Sequence, residues 1–215
     1  MRQQQGFTLV EVLVALAIMA LIGSMSWIGI STLLQTKEHT AQMGVKNAQL
    51  QITLAQWAND LDQAWQPKDT QPMGWDGKVF RLTRRAQEHE QGVVVVAWAV
   101  RTSEEGMRWM RWQSQPFLHM HEWMQAWELA SNWARSTVGQ QAAAKLIPAS
   151  VVDVYLWEGS TWVNAQSSQN TERNDSGLSN QSNSLPLQPK GVRLVLHTPS
   201  GKLIQDWIAP TWSEQ

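Results

Sequence analysis

An apolar run opens at Phe7 and continues, interrupted by Glu11 and weakened by Ser24 and Ser26, to about Ile30. As a helix, a run of that length spans roughly 36 Å, enough to cross a bilayer. Arg2 is the one charge ahead of it, which predicts a cytoplasmic N-terminus and an exported remainder. Residues 31–65 then contain no proline and a single glycine, Gly44. Within them Leu50, Leu54, Trp57, Leu61 and Trp65 recur at helical spacing and form one stripe. The pattern predicts one helix from about Phe7 to Trp65, membrane-spanning in its first half and amphipathic in its second. Pro67 ends it. A stripe of this kind reads as core-facing.

Past Pro67 the period shortens to that of strands. Asp76-Gly77 signals a turn, and Lys78 to Arg84 alternates around Val79, Phe80 and Leu82. Residues 93–100 read as a strand, Glu104-Glu105-Gly106 as a hairpin turn, and residues 107–112 as the returning strand. A helix is expected from about His119 to Thr137, with Met120, Trp123, Met124, Trp127 and Ala130 on one face. A second hairpin joins residues 151–157 to Trp162-Val163 around Glu158-Gly159-Ser160. The last joins residues 192–197 to 203–208 through Pro199-Ser200-Gly201. Residues 166–184 are rich in Ser, Asn and Gln and poor in apolar side chains, so they read as a long surface loop. The expected fold is α+β: a long N-terminal helix, transmembrane in its first half, packed on a mostly antiparallel β globular domain.

Composition changes this picture little. The formal net charge is -1, so no basic face is implied and no nucleic-acid partner is expected. Without cysteine there is no disulfide, thiolate metal site or cysteine nucleophile. Tryptophan is abundant at 14, against one Tyr and three Phe, and supplies much of the area a modest core needs to bury.

Glu11 is the anomaly. An ionised acid at a bilayer centre costs about 2.5–3.5 kcal/mol on insertion scales, less near an end. Were the chain cut after Gly6, the new amino group of Phe7 would lie four residues away. In a helical assembly the Glu11 of one subunit would then pair with the Phe7 ammonium of its neighbour. The segment Gly6-Phe7-Thr8-Leu9-Val10-Glu11-Val12-Leu13-Val14-Ala15 resembles the type IV prepilin cleavage and methylation motif. That motif has Gly before the cut, Phe after it and Glu as the fifth mature residue. The resemblance implies cleavage after Gly6 by a prepilin peptidase and methyltransferase, N-methylation of Phe7, and a Glu11 used in assembly.

Features along the rest of the chain resemble the J-type minor pseudopilin of the type II secretion system. They include residues 48–64, Arg81-Leu82-Thr83-Arg84-Arg85-Ala86, Val96-Ala97-Trp98, Arg108-Trp109-Met110-Arg111-Trp112-Gln113, Tyr155-Leu156-Trp157, Trp162, and Gly191-Val192-Arg193-Leu194-Val195-Leu196. This likeness implies a tip and initiation subunit of the periplasmic pseudopilus, partnered by I- and K-type minor pseudopilins and the major pseudopilin. It implies a bacterial inner-membrane, single-pass location with lipid around the helix and a periplasmic domain. The expected organisation is a leader over 1–6, a transmembrane segment over 7–30, an amphipathic continuation over 31–65 and a β-rich domain over 66–215.

Other readings of the start are a cleaved secretory signal with a site near Ser24-Met25-Ser26, or an ordinary single-pass anchor. Neither accounts for Gly6, Phe7 and Glu11 together. A minor type IV pilin shares the leader, and a membrane-tethered periplasmic binding domain or hydrolase would call for a deep polar pocket. No catalytic residues, cofactor or metal site are expected. His119-Met120-His121-Glu122 lacks further ligands at a supporting spacing, and on one helix the two rings would point about 160° apart. Asp60 and Asp62 lack the glycine turn of a calcium loop and read as a solvated face. Arg81, Arg84, Arg85, Arg101, Arg108 and Arg111 alternate with tryptophans as strand edge and core residues.

Overall fold

The computed structural model describes residues 8–66, 70, 73–86, 92–135, 143–166 and 189–209. It contains a long apolar N-terminal helix followed by an antiparallel β-sheet domain, the pilin-like α+β arrangement expected. The chain divides into two compact units, Met1–Ala48 and Gln49–Gln215. One helix, α1 (Leu9–Asp62), supplies the regular structure of the first unit and opens the second. Its N-terminal part is long and apolar enough to cross a membrane, and none of that apolar window is buried. All four buried residues of α1, namely Thr53, Trp57, Asp60 and Leu61, lie in the second unit.

The helix stops three residues short of the Trp65 expected. Beyond Asp62 the backbone leaves the helix to pair with a strand. Ala64 bridges Arg84, Trp65 N donates to Thr83 O at 2.9 Å, and Arg85 N donates to Gln63 O at 3.3 Å. Pro67, the expected breaker, lies outside the described residues, as do Phe7 and nearly all of the 166–184 loop.

The second unit holds two antiparallel sheets. The first has the order β1 (Met73–Trp75), β2 (Val79–Arg85), β3 (Val93–Ser103), β4 (Gly106–Gln113) and β5 (Ala144–Pro148). The second has the order β7 (Thr161–Asn164), β6 (Val151–Glu158), β8 (Gly191–Thr198) and β9 (Gly201–Ile208). A 16-residue helix, α2 (Met120–Arg135), separates β4 from β5. Three hairpins occur where turn residues predicted them, β3–β4, β6–β7 and β8–β9. Before β2, Asp76 Oδ1 accepts from Lys78 N at 3.0 Å and Val79 N at 2.9 Å, while Gly77 takes φ +85°. Strands β1 and β5 are additions to the sequence reading. β1 is three residues long, and β5 ends in a proline that only an edge strand tolerates, so neither leaves a strong periodic signal.

β3 shows why its sequence is a nearly continuous apolar run. Val94, Val96 and Trp98 face one core together with Trp57 and Leu61 of α1 and Val154, Val192, Leu194 and Leu196 of the second sheet. Val95, Ala97 and Ala99 face the opposite core, closed by Ala126, Ala130 and Trp133 of α2. A strand covered on both faces has no polar side to alternate with. α2 is rotated from its expected face. Met120 and Met124 are exposed, and the contact shifts toward Ala126, Ala130 and Trp133. Two small alanines allow close approach to the sheet. Trp123 Nε1, donating to Thr83 Oγ1 at 2.9 Å, and Arg81 Nη1, donating to Trp127 O at 3.3 Å, hold the rotation.

Candidate functional site

The processing residues Gly6 and Phe7 lie outside the described residues, so the structure begins just after the proposed cut. Thr8 caps α1 and Glu11 stands three residues on. Thr8 N and Thr8 Oγ1 donate to Glu11 Oε2 at 2.9 and 3.0 Å, and Glu11 N donates to Thr8 Oγ1 at 3.4 Å. This reciprocal pair is a capping box, which satisfies helix donors that would otherwise lack partners. The negative charge also sits at the positive end of the helix dipole. Within one chain, then, Glu11 has a local partner.

A second carboxylate on the same helix is held quite differently. Asp60 is fully buried, which corrects the solvated face expected for it. Arg111 grips it through Nε–Oδ2 at 2.7 Å and Nη2–Oδ1 at 2.8 Å, a two-pronged pair. The Arg84 Nε lies 3.2 Å from Oδ1, Trp98 Nε1 donates to Oδ2 at 2.9 Å, and Gln56 Nε2 donates to Oδ1 at 3.1 Å. Gln113 Oε1 accepts from both arginines, and Gln63 Oε1 accepts from Arg84. Burial pulls the Arg84 guanidinium below its ordinary value, Asp60 pushes it back up, and Arg111 adds to the lowering. A buried ion that is paired and fully hydrogen-bonded is tolerated, and leaving one of the pair alone is costly.

The signal for this cluster was present in the spacing. Asp60 lies three residues after Trp57 and one before Leu61, inside the buried stripe. Asp62 is exposed by contrast, and its Oδ1 accepts from Trp207 Nε1 at 2.7 Å. Around the cluster the indoles form a packed group. Trp57 lies 5.5 Å from both Trp98 and Trp109, and those two rings are 4.4 Å apart.

The arginines that alternate with tryptophans are used within the fold. Arg81 lies over Trp127 at 4.9 Å, Arg101 over Trp133 at 4.7 Å, and Arg193 over Trp162 at 4.4 Å. Both histidine rings of the His119–His121 pair are exposed, but they stack with centroids 5.7 Å apart and planes 13° from parallel. The expected divergence fails because His119 precedes the first residue of α2 and is not on the helix. Glu122 turns back to accept from Leu118 N and His119 N, a helix cap and not a ligand set. Among the described residues no group of three or more His, Asp or Glu side chains could hold a metal. Cavities are lined by Trp157, Trp162 and Ile208 (about 590 Å3) and by Lys78, Arg101 and Arg135 (about 410 Å3).

Residues 1–27 match the family model for the prokaryotic N-terminal methylation motif. No curated protein matches the chain. The matched motif is that of type IV prepilin-like proteins. It implies processing by a prepilin peptidase and assembly with other pilin-like subunits, and the apolar helix beside it is consistent with a single-pass inner-membrane anchor.

Proposed function

We propose that this chain is a minor pseudopilin of the type II secretion system, a tip and initiation subunit of the periplasmic pseudopilus that helps export folded proteins. The carrying observation is the methylation motif at the head of a helix that runs from Leu9 to Asp62 and leads into a two-sheet domain. In this reading residues 1–6 are the leader, 7–30 the membrane segment, 31–65 its amphipathic continuation and 66–215 the periplasmic domain. The peptidase cuts after Gly6 and Phe7 becomes the methylated N-terminus. Glu11 exchanges its hydrogen bonds to Thr8 for the Phe7 ammonium of a neighbouring subunit. That exchange supplies a charged partner as the helix start enters a packed apolar assembly. I- and K-type minor pseudopilins and the major pseudopilin are the partners, and the chain's role is structural, not catalytic.

The test is co-expression with a prepilin peptidase, followed by mass spectrometry of the mature N-terminus for wild type and Gly6→Ala. The wild type is expected to begin with methylated Phe7, and the Gly6 change to block cutting. An N-terminus near Ser26, or an uncut wild-type chain, overturns the assignment. Co-purification of wild type and Glu11→Gln with major, I- and K-type pseudopilins then tests the assembly role. Recovery with type IV pilins alone would move the chain to the minor pilins, which share its leader.

A further inference from the structure

The Lys78–Arg101–Arg135 cavity is not explained by the membrane helix or the processing site. It lies where the start of β2, the end of β3, the start of β6 and the end of α2 converge. Its volume is about 410 Å3. Three cationic side chains line it and, among the described residues, no carboxylate does. Asp76, next to Gly77 in sequence, is already committed. Its Oδ2 takes Arg135 Nη2 at 2.9 Å and lies 3.9 Å from Arg81, and its Oδ1 holds the turn into β2. One acid thus serves a neighbourhood of four cations.

Arg101 is the fixed element of the group. It is 5% exposed and lies flat over Trp133, and burial pulls its guanidinium below its ordinary value. Directly across the ladder stands another arginine, Arg108, paired with Glu105. Concentrating like charges against low-dielectric walls raises the local potential and attracts an anion. The remaining wall is apolar, made by Val100, Met107 and Val152. A bare inorganic anion would leave that wall uncovered, whereas a carboxylate next to an apolar side chain satisfies both halves. Guanidinium forks favour the planar carboxylate.

We propose that this cavity receives a carboxylate of a partner polypeptide, seated beside an apolar side chain of the same partner. The polypeptide source rests on the reading of the chain as an assembly subunit. Lys78 and Arg135, exposed at the mouth, draw the acid in, and Arg101 orients it from within.

The experiment is calorimetric titration of the full-length protein in detergent with N-acetyl-leucyl-glutamyl-leucine amide, its glutaminyl counterpart and inorganic phosphate. The glutamyl peptide is expected to bind at least about tenfold tighter than the glutaminyl one, a difference of about 1.4 kcal/mol. Its binding should weaken as salt is raised. The double variant Lys78→Gln/Arg135→Gln should lose that preference with its thermal transition unchanged. If that variant does not fold, Lys78→Gln alone and the salt series on wild type carry the test. Equal binding of the two peptides, unchanged binding by the variant, or no binding overturns the proposal. Phosphate bound as tightly as the glutamyl peptide reassigns the cavity to a free anion and overturns it equally. Cleavage after Gly6 involves none of these residues, so failure of the prepilin reading and failure of this one are seen in separate assays.

Discussion

The two carboxylates of α1 make an instructive pair. Glu11 is exposed and bonded only to Thr8, three residues away, so its environment is written in one turn of helix. Asp60 is buried and bonded to Arg84, Trp98 and Arg111, the last 51 positions along the chain. A local arrangement leaves its partner exchangeable. A long-range one makes the acid inseparable from the fold. The same helix therefore carries a charge suited to assembly at one end and a charge committed to the domain at the other.

The largest expected break in this comparison is Asp60→Ala. It strands two arginines in the core and should cost about 3–5 kcal/mol. Denaturant unfolding of the full chain in detergent, followed by tryptophan fluorescence, reads the loss, while cleavage after Gly6 proceeds as in wild type. Domain stability unchanged within about 1 kcal/mol would show that Asp60 is not the anchor described. A smaller break is Trp98→Phe, which keeps a ring in the cluster but removes the indole donor to Asp60. It should cost about 1–3 kcal/mol in the same assay, and a neutral result would place Arg111 alone in charge of the acid.

The smallest effect sharpens the contrast from the exposed side. Arg193 and Asp206 form a two-pronged pair at 2.7 Å, and the hydrogen bonds from Arg193 hold the Asp206 carboxyl below its ordinary range. A folded-state value below the unfolded one stabilises the fold above the unfolded value and is lost as pH falls through the folded one. The Arg193→Gln/Asp206→Asn double-mutant cycle should therefore give a coupling that is present at neutral pH and fades in strong acid. Because the pair is well exposed, that coupling stays below about 1 kcal/mol. A coupling as large as the Asp60 effect would erase the distinction between buried and surface pairs.

These differences follow what could be read from the residues. The long helix, the three hairpins and β3 were legible because their signals are periodic and local. Gly6, Phe7 and Glu11 were legible because their spacing is itself the signal, and the family match covers that same stretch. Asp60 was misread because hydropathy treats every acid as solvated, and its partners belong to β2, β3 and β4. His119 was misread because a one-residue error at a helix start changes where a ring points. The cationic cavity gathers residues from three strands and a helix, a combination that no window along the chain contains.

The tryptophan group around Trp57 has an optical consequence. Indoles held 4.4 to 5.5 Å apart at fixed tilts couple their electronic transitions and should give the domain a strong near-ultraviolet dichroism. That signal belongs to side-chain packing alone, while the far-ultraviolet signal of a 54-residue helix belongs to the backbone. In one spectrum, an experimenter could watch the core loosen while the helix persists.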